Sequence, residues 1–444
     1  MTRPPITPTV PRRRRARWVP PLMAAAVVCL LAGLWAALVR LGLAVPAGIS
    51  SLPQAHGQLM TLGFLGTFIA LERAVALGEA WGYLAPAAAG AGGITVAAGA
   101  PGGVGEALLG CGGLALVAIF VAVHRIQPSL HNAVLAAGAV CWVVADGLWL
   151  AGWDISRFVP WLAGFLVLTI TGERLELSRM TGTSRLGRLL FAGAAALFAA
   201  GLLASLAAGP AAAAPGEPVP VGIRVTGAGL IALAAWLARY DVARRTVRGH
   251  GVTRYMAVAL LAGYAWLAVA GVLWAGVGQM ADGAAYDAEL HAIFLGFVMS
   301  MIFAHAPVIV PSVLGRPFPY RRILYAPLVL LHASVAVRLA GGDWAGSIDA
   351  WQWGGSLNEI AILLFLVMAA VLVIRSRRTG RRPPRLPQTA PAAPSPPGTP
   401  GGLPRPAVSG DPRHEQDPAE PPGPGGAAVL NWITGNHGVR EKDP

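Results

Sequence analysis

Charged side chains are scarce in this chain: they make up 12% of its 444 residues, whereas 55% are hydrophobic. Soluble domains carry about 25% charged residues. Here the apolar residues form blocks of about twenty, the length of helix that crosses the apolar core of a bilayer. The composition therefore predicts an all-α polytopic membrane protein, with the lipid bilayer as a partner.

Cysteine is equally rare, with three residues in the whole chain: Cys29, Cys111 and Cys141. Each lies inside an apolar block, and none belongs to a CxxC pair or a similar metal-binding spacing. This pattern excludes the common cysteine-based metal motifs and predicts that the three thiols pack in the protein core.

Acidic residues are outnumbered by basic ones, 21 against 34, which gives a net charge of +13. A basic balance of this kind is also typical of nucleic-acid-binding proteins. The arginines, however, cluster at the ends of apolar blocks and do not form one basic domain with interleaved aromatic residues. The charge therefore indicates orientation in a membrane, and we expect no nucleic-acid partner.

Twelve apolar blocks, separated by loops that contain Pro, Gly or Arg, predict about twelve transmembrane helices. The first follows a basic N-terminal segment, residues 1–17, and is too long for the apolar core of a cleaved signal peptide. The predicted membrane domain covers residues 18–377. Its blocks lie at 18–43, 53–78, 82–100, 104–123, 131–152, 158–177, 189–209, 221–240, 254–277, 286–313, 323–341 and 353–375.

The arginine-rich loops all fall on one side of this predicted bundle: GERLELSRMTGTSRLGR, RYDVARRTVRGHGVTR, GRPFPYRR and RSRRTGRR. Basic loops favour the cytoplasmic side, so both ends of the chain are expected in the cytoplasm, with the helices in a bacterial inner membrane. Residues 378–444 are rich in Pro, Gly and charge and predict a disordered cytoplasmic tail.

A Gly-Phe dipeptide recurs in the second, sixth and tenth helices, and a polar group follows each Phe after eight residues. A marker that repeats every four helices predicts three four-helix modules. We also expect the two Glu-Arg pairs of this pattern to form ion pairs near the inner membrane boundary. The markers are Gly63-Phe64 with Glu72-Arg73, Gly164-Phe165 with Glu173-Arg174, and Gly296-Phe297 with His305.

Two histidines stand at similar places in this repeat. His56 lies seven residues before Gly63, and His291 lies five residues before Gly296, so their predicted depths differ by only about 3 Å. Two imidazoles at one depth, on helices that meet at one centre, are what axial ligation of a haem requires. The alternative is that each histidine is an interfacial residue hydrogen-bonded to a loop.

Three further residues are unusual at membrane depth. His305 lies fourteen residues after His291, about 21 Å deeper, and is a candidate for a second metal site or a proton path. His332 lies in the middle of the eleventh helix and is a second candidate metal ligand. Asp146 is an isolated carboxylate in the fifth helix, where a proton or cation role is an alternative to a structural one.

The segments HGQLMTLGF, from His56, and ELHAIFLGFVMSMIFAHAPVIVPSVLG, around His291, resemble NnrS-type membrane proteins, which are haem- and copper-associated and linked to nitric oxide stress. Twelve helices in three modules, with histidines on the second and tenth, also resemble subunit I of the haem-copper oxidases. The resemblance implies that His56 and His291 are the axial ligands of a haem, of b type, and that copper is a further candidate cofactor.

The chain departs from the oxidase pattern on the sixth and seventh helices, which lack the histidines of the oxidase copper centre. The resemblance therefore implies electron transfer, or the handling of a diatomic gas such as nitric oxide, in place of oxygen reduction. A rival hypothesis is a secondary transporter for a small solute or metal, since repeats and polar groups at mid-depth are also transporter features. An assembly role in another membrane complex stays open.

Overall fold

The computed structural model describes residues 17–46, 48–178, 182–210, 221–278 and 282–378. Within these ranges all regular structure is helical. The predicted basic N-terminal segment, apart from Arg17, and the predicted tail from residue 379 lie outside the described residues. The described residues up to Val373 belong to one compact unit. Of the second unit, Ile374–Pro444, the structure describes only residues 374–378, which are helical.

Eleven helices of the described chain are long and apolar enough to cross a membrane. The chain is therefore an all-α polytopic membrane protein, as its composition predicts. We number the helices α1 to α12 to include one shorter helix, α3. They are α1 Val19–Arg40, α2 Pro53–Leu77, α3 Leu84–Ala97, α4 Val104–Ile126, α5 Leu130–Leu150, α6 Ile155–Ser178, α7 Arg185–Ala208, α8 Val221–Tyr240, α9 Gly251–Gly276, α10 Gly283–Leu314, α11 Arg322–Trp344 and α12 Ile348–Arg378.

Helix α3 differs from the predicted third span, residues 82–100. It has 14 residues, which is about 21 Å of helix and less than the roughly 30 Å of a bilayer core. Gly99, in a left-handed conformation, follows its C-terminus. Its glycines allow close packing on α4, because a Cβ atom built on Gly92 would lie 2.7 Å from the carbonyl oxygen of Gly105. The last residues of the predicted span, 98–100, thus form a turn and not part of the helix.

Helix α6 lies at the centre of the bundle. In its most apolar stretch, 94% of the residues are buried within the protein, the largest share of any span. It contacts both α2 and α10, and these two also contact each other. The three helices that carry the Gly-Phe marker therefore meet, as the sequence repeat predicts.

Both α2 and α10 change helical geometry at equivalent places. Residues Leu59–Gly66 of α2 and Ala292–Met299 of α10 form π-helical turns, and each segment contains one Gly-Phe marker. The π segments begin three residues after His56 and one residue after His291. Such turns are rare and occur frequently at functional sites, so they direct attention to these two histidines.

The first and last helices lie side by side. The Gln352 side chain of α12 donates a hydrogen bond to the Leu41 carbonyl oxygen, just beyond α1, at 2.9 Å. On α10 and α12, the Phe303 and Phe365 rings stack with their centroids 3.9 Å apart. These contacts pack α12 against both the first helix and the central helix α10.

Candidate functional site

We call the end of the bundle where α2 and α10 begin the histidine end, after His56 and His291. The His56 Nδ1 atom lies 2.8 Å from the carbonyl oxygen of Gly33 on α1. Because a carbonyl oxygen only accepts, Nδ1 carries the proton of this bond. The Nε2 atom therefore keeps its lone pair in the neutral ring, and among the described residues it has no hydrogen-bond partner.

His291 has the same arrangement. Its Nδ1 atom donates to the Asp287 carbonyl oxygen, one helical turn earlier, at 2.7 Å, and lies 3.3 Å from Oδ1 of the Asp287 carboxylate. Its Nε2 atom likewise has no hydrogen-bond partner in the part of the chain that the structure describes. Bonding through Nδ1 to a carbonyl or carboxylate is how proteins orient a histidine that binds metal through Nε2.

His56 and His291 lie at the same end of the bundle, near the beginnings of α2 and α10. His56 is close enough to His291, Arg40 and Arg338 to interact with each of them electrostatically. Both imidazoles are half-buried, at the beginnings of two adjacent helices. The sequence prediction that His56 and His291 form a ligand pair stays a prediction.

Arg338 of α11 holds Asp287 in place. Its Nε and Nη2 atoms donate to the two carboxylate oxygens of Asp287 at 2.6 and 2.7 Å, a bidentate pair. The guanidinium also lies over the Trp351 ring, 5.2 Å from its centroid. Sequence reasoning missed Asp287 and Arg338. The spacing of four residues between Asp287 and His291 could have indicated Asp287, whereas no local sequence pattern indicates Arg338.

The glycines near the histidines serve mainly to pack helices. A Cβ atom on Gly63 would meet Cys29, one on Gly66 would meet the Trp142 ring, and one on Gly296 would meet the Trp266 ring. Side chains of neighbouring helices thus fill the space beside these three glycines. Gly57, next to His56, has more open surroundings: a Cβ atom at this position would have Ile155 as its nearest neighbour, at 3.6 Å.

His332, predicted as a second metal candidate, has both ring nitrogens occupied. Trp266 donates to Nδ1 at 3.0 Å, and Nε2 lies 3.3 Å from the Ser300 hydroxyl oxygen. That hydroxyl donates onward to the carbonyl oxygen of Ala259. The ring therefore joins α9, α10 and α11 through hydrogen bonds and keeps no free lone pair for a metal.

The opposite end of the bundle, where α2, α6 and α10 approach their C-termini, we call the arginine end. Arg73 of α2 pairs with Glu173 of α6 and, at 3.3 Å, with its neighbour Glu72. The prediction that the two Glu-Arg dipeptides form ion pairs is thus confirmed. These pairs connect α2 to the central helix.

Arg174 extends the same network. Its Nε and Nη2 atoms donate to the two oxygens of the Asp241 carboxylate at 2.6 and 2.8 Å, and both side chains are buried. Its Nη1 atom donates to Nε2 of His305 at 3.4 Å, while Nδ1 of His305 donates to the Met301 carbonyl oxygen at 2.6 Å. His305 is thus engaged at both nitrogens and belongs to the ionic network, far along α10 from His291.

Asp146 of α5 is buried and faces α4, where its Oδ2 atom lies 2.5 Å from a Cβ atom built on Gly110. Its Oδ1 atom has no hydrogen-bond partner in the described ranges. The isolated carboxylate that the sequence indicates is therefore isolated in the structure as well.

The donor set at the histidine end fits a haem better than a bare ion. Within the described chain, no three His, Cys, Asp or Glu side chains are placed to hold a metal ion together. Protein-bound ions such as zinc need three or four protein ligands. A haem iron receives four nitrogens from its macrocycle and needs only one or two side chains from the protein.

Residues 18–374 match a family described as a domain of unknown function, DUF8744. The chain belongs to this family. A search of curated proteins finds no match. The DUF8744 region takes in His56 and His291 at one end of the bundle and the Arg73 and Arg174 network at the other, so both groups of residues belong to the part of the chain that the family defines.

Proposed function

We propose that this DUF8744 protein is a haem-binding protein of a bacterial cytoplasmic membrane, with His56 and His291 as the two axial ligands. The observation that carries the proposal is the pair of half-buried imidazoles near the beginnings of α2 and α10, each bonded through Nδ1 to a backbone carbonyl. The resemblance to NnrS-type proteins and to subunit I of the haem-copper oxidases supports the same ligand pair.

The hydrogen bonds at Nδ1 prepare both rings for this role. They fix the tautomer that leaves Nε2 as the base, and they hold the His56 ring against α1 and the His291 ring against its own helix, α10. The Asp287 carboxylate is shared between His291 and Arg338, so Arg338 limits how much negative charge reaches the imidazole. The Nδ1 atoms of the two rings thus have different partners: that of His56 faces a backbone carbonyl, and that of His291 faces a carbonyl and a carboxylate.

Cationic residues at the histidine end fit a ligand that carries carboxylates. Arg40 and Arg338 both interact with His56, and Arg40 is exposed with no salt bridge among the described residues. The two propionate groups of a haem b are anions that need such partners. The buried glutamates of the same membrane face, Glu289 and Glu359, each keep one oxygen without a hydrogen bond among the described residues.

A bound haem would supply one-electron redox chemistry. Because this chain offers an imidazole for each axial position, a gas ligand has to compete with His56 or His291 for a coordination position. We therefore propose electron transfer as the primary role. Nitric oxide handling or protection is the role that we propose if one of the two histidines is displaced. Copper is the weaker candidate cofactor, because His305 and His332 both have their nitrogens engaged.

The test is an absorption spectrum of the detergent-purified protein, oxidised and then reduced with dithionite, with haem content measured per chain. We expect a low-spin haem spectrum that His56→Ala and His291→Ala each abolish or convert to high spin. His250→Ala, which removes an exposed histidine from a loop at the arginine end, is the matched control and should leave the spectrum unchanged. A colourless protein expressed with ample haem would overturn the proposal.

A secondary transporter is the second candidate, and Asp146 is the observation that favours it. A buried carboxylate with an unbonded oxygen in a membrane helix is a feature of proton- or cation-coupled carriers. Proteoliposomes that accumulate a solute or ion, and lose this activity in Asp146→Asn but not in His56→Ala, would favour transport over haem binding.

A further inference from the structure

A cavity of about 510 Å³ opens at the arginine end, away from both histidines. It lies between the start of α7, the end of α8 and a short helix, Ala243–Thr246, that follows α8. Its volume is in the range of small-molecule sites, which is about 300–1,000 Å³. The polar side chains that line it include Thr183, Ser184, Arg239, Arg244, Arg245 and Arg248.

The charge of this cavity is uncompensated. None of the four lining arginines forms a salt bridge within the part of the chain that the structure describes. The one acid in the wall, Asp241, already accepts two hydrogen bonds from Arg174 and one from the Ala243 backbone N–H at 2.7 Å. All four arginines are exposed, so solvent weakens their mutual repulsion, and an anion bound between them would remove what remains.

Neutral donors at the start of α7 add to this preference. The Ser184 hydroxyl caps α7 by accepting from the Gly187 N–H at 3.1 Å, and the first-turn N–H groups of this helix have no partner within the helix itself. Thr183 donates to the Ser178 carbonyl oxygen at 2.7 Å, which ties the loop to the end of α6. A helix N-terminus beside several arginines is favourable for phosphate.

We propose that this cavity binds a phosphate-bearing anion through Arg239, Arg244, Arg245 and Arg248. Two sources share that chemistry: the headgroup of an acidic phospholipid at the membrane surface, and a soluble phosphorylated compound. The cavity is larger than a single phosphate ion, so the ligand carries either a second phosphate or an organic group. The inference is independent of haem binding, since no residue is shared with the histidine end.

The experiment uses the purified full chain in nanodiscs of phosphatidylcholine. Calorimetry with inorganic pyrophosphate tests the soluble source, and native mass spectrometry of nanodiscs that contain phosphatidylglycerol tests for retained lipid. The variant Arg245→Gln/Arg248→Gln lowers the charge of the cavity. The matched control, Arg321→Gln/Arg322→Gln, removes the same charge from exposed positions in another loop of the same end. The single variant Arg248→Gln serves if the double variant does not fold.

We expect saturable binding of one of the two probes, weakened about tenfold or more in the cavity variant and unchanged in the control, because the variant removes two cationic donors that would hydrogen-bond to the anion. Pyrophosphate binding in phosphatidylcholine identifies a soluble ligand; selective retention of phosphatidylglycerol identifies a lipid. Failure of both probes, or equal weakening in the two double variants, would overturn the proposal in favour of an unspecific basic surface.

Discussion

Arg73 and Glu173 form an ion pair between helices α2 and α6, although they lie 100 residues apart in the chain. Each belongs to a Glu-Arg dipeptide that stands eight residues after a Gly-Phe marker. The third marker leads to His305, which accepts from Arg174 beside this pair. The repeat in the sequence thus corresponds to one physical network, in which polar groups at a common depth of three central helices meet.

Removal of one partner from the buried pair Arg174 and Asp241 should destabilise the protein strongly. The remaining charge would be left buried with no counter-charge, which costs about 3–5 kcal/mol. We expect this loss in the free energy of unfolding for Arg174→Ala and for Asp241→Ala, measured by denaturant titration of the detergent-solubilised chain. The double variant Arg174→Met/Asp241→Leu should lose much less. Single variants within about 1 kcal/mol of the wild type would contradict the role of this pair.

Close packing of α8 on α9 depends on Gly227. A Cβ atom at this position would lie 2.8 Å from the Gly271 carbonyl oxygen and from the Trp274 carbonyl carbon, both of them backbone atoms that cannot swing aside. Gly227→Ala should therefore lower the unfolding midpoint, by overpacking worth about 1–3 kcal/mol. Gly147→Ala in α5, with nothing within 4 Å of the new Cβ, is the control and should be neutral or stabilising. Equal midpoints for the two variants would argue against this packing.

His332 should prove structural. Its replacement by Ala leaves the Trp266 indole N–H without its acceptor, and an unsatisfied buried donor costs about 1–3 kcal/mol. We therefore expect His332→Ala to be less stable and yet to bind the same amount of haem per chain as the wild type. Haem content is measured by pyridine haemochrome and stability by thermal unfolding. Loss of haem from a folded His332→Ala protein would contradict a purely structural role and would indicate that His332 is a ligand.

Arg338 should tune the redox potential of the proposed centre. In Arg338→Gln the Asp287 carboxylate loses its bidentate partner and becomes a better acceptor for the His291 Nδ1 proton, so the imidazole becomes a stronger electron donor. We predict a more negative reduction potential, determined by spectroelectrochemical titration. Arg224→Gln, which removes an exposed arginine at the start of α8, controls for the loss of charge alone. A shift of the same size in both variants would rule out an effect through Asp287.

Helix content was predictable from the sequence because it follows from a local pattern, the apolar blocks. The meeting of α2, α6 and α10 agrees with the repeated Gly-Phe dipeptide. The partners Asp241, Asp287 and Arg338 were harder to predict. Each pairs with a side chain that another helix brings near, and no local pattern encodes that meeting. The third span was predicted too long, because the apolar run continues through the turn after Ala97, where Gly99 takes a left-handed conformation. That Nδ1 of His332 already has a hydrogen-bond partner was likewise not predictable, because the donor, Trp266, is 66 residues away in the chain.

The most direct test of the central claim is the response of single ligand variants to added imidazole. His56→Gly and His291→Gly each remove one proposed axial ligand and leave a space for the free base. We predict that both variants lose the low-spin spectrum of the reduced protein and that millimolar imidazole restores it in each, whereas His250→Gly never loses it. A wild-type low-spin haem spectrum that persists in either glycine variant without imidazole would contradict ligation by His56 and His291.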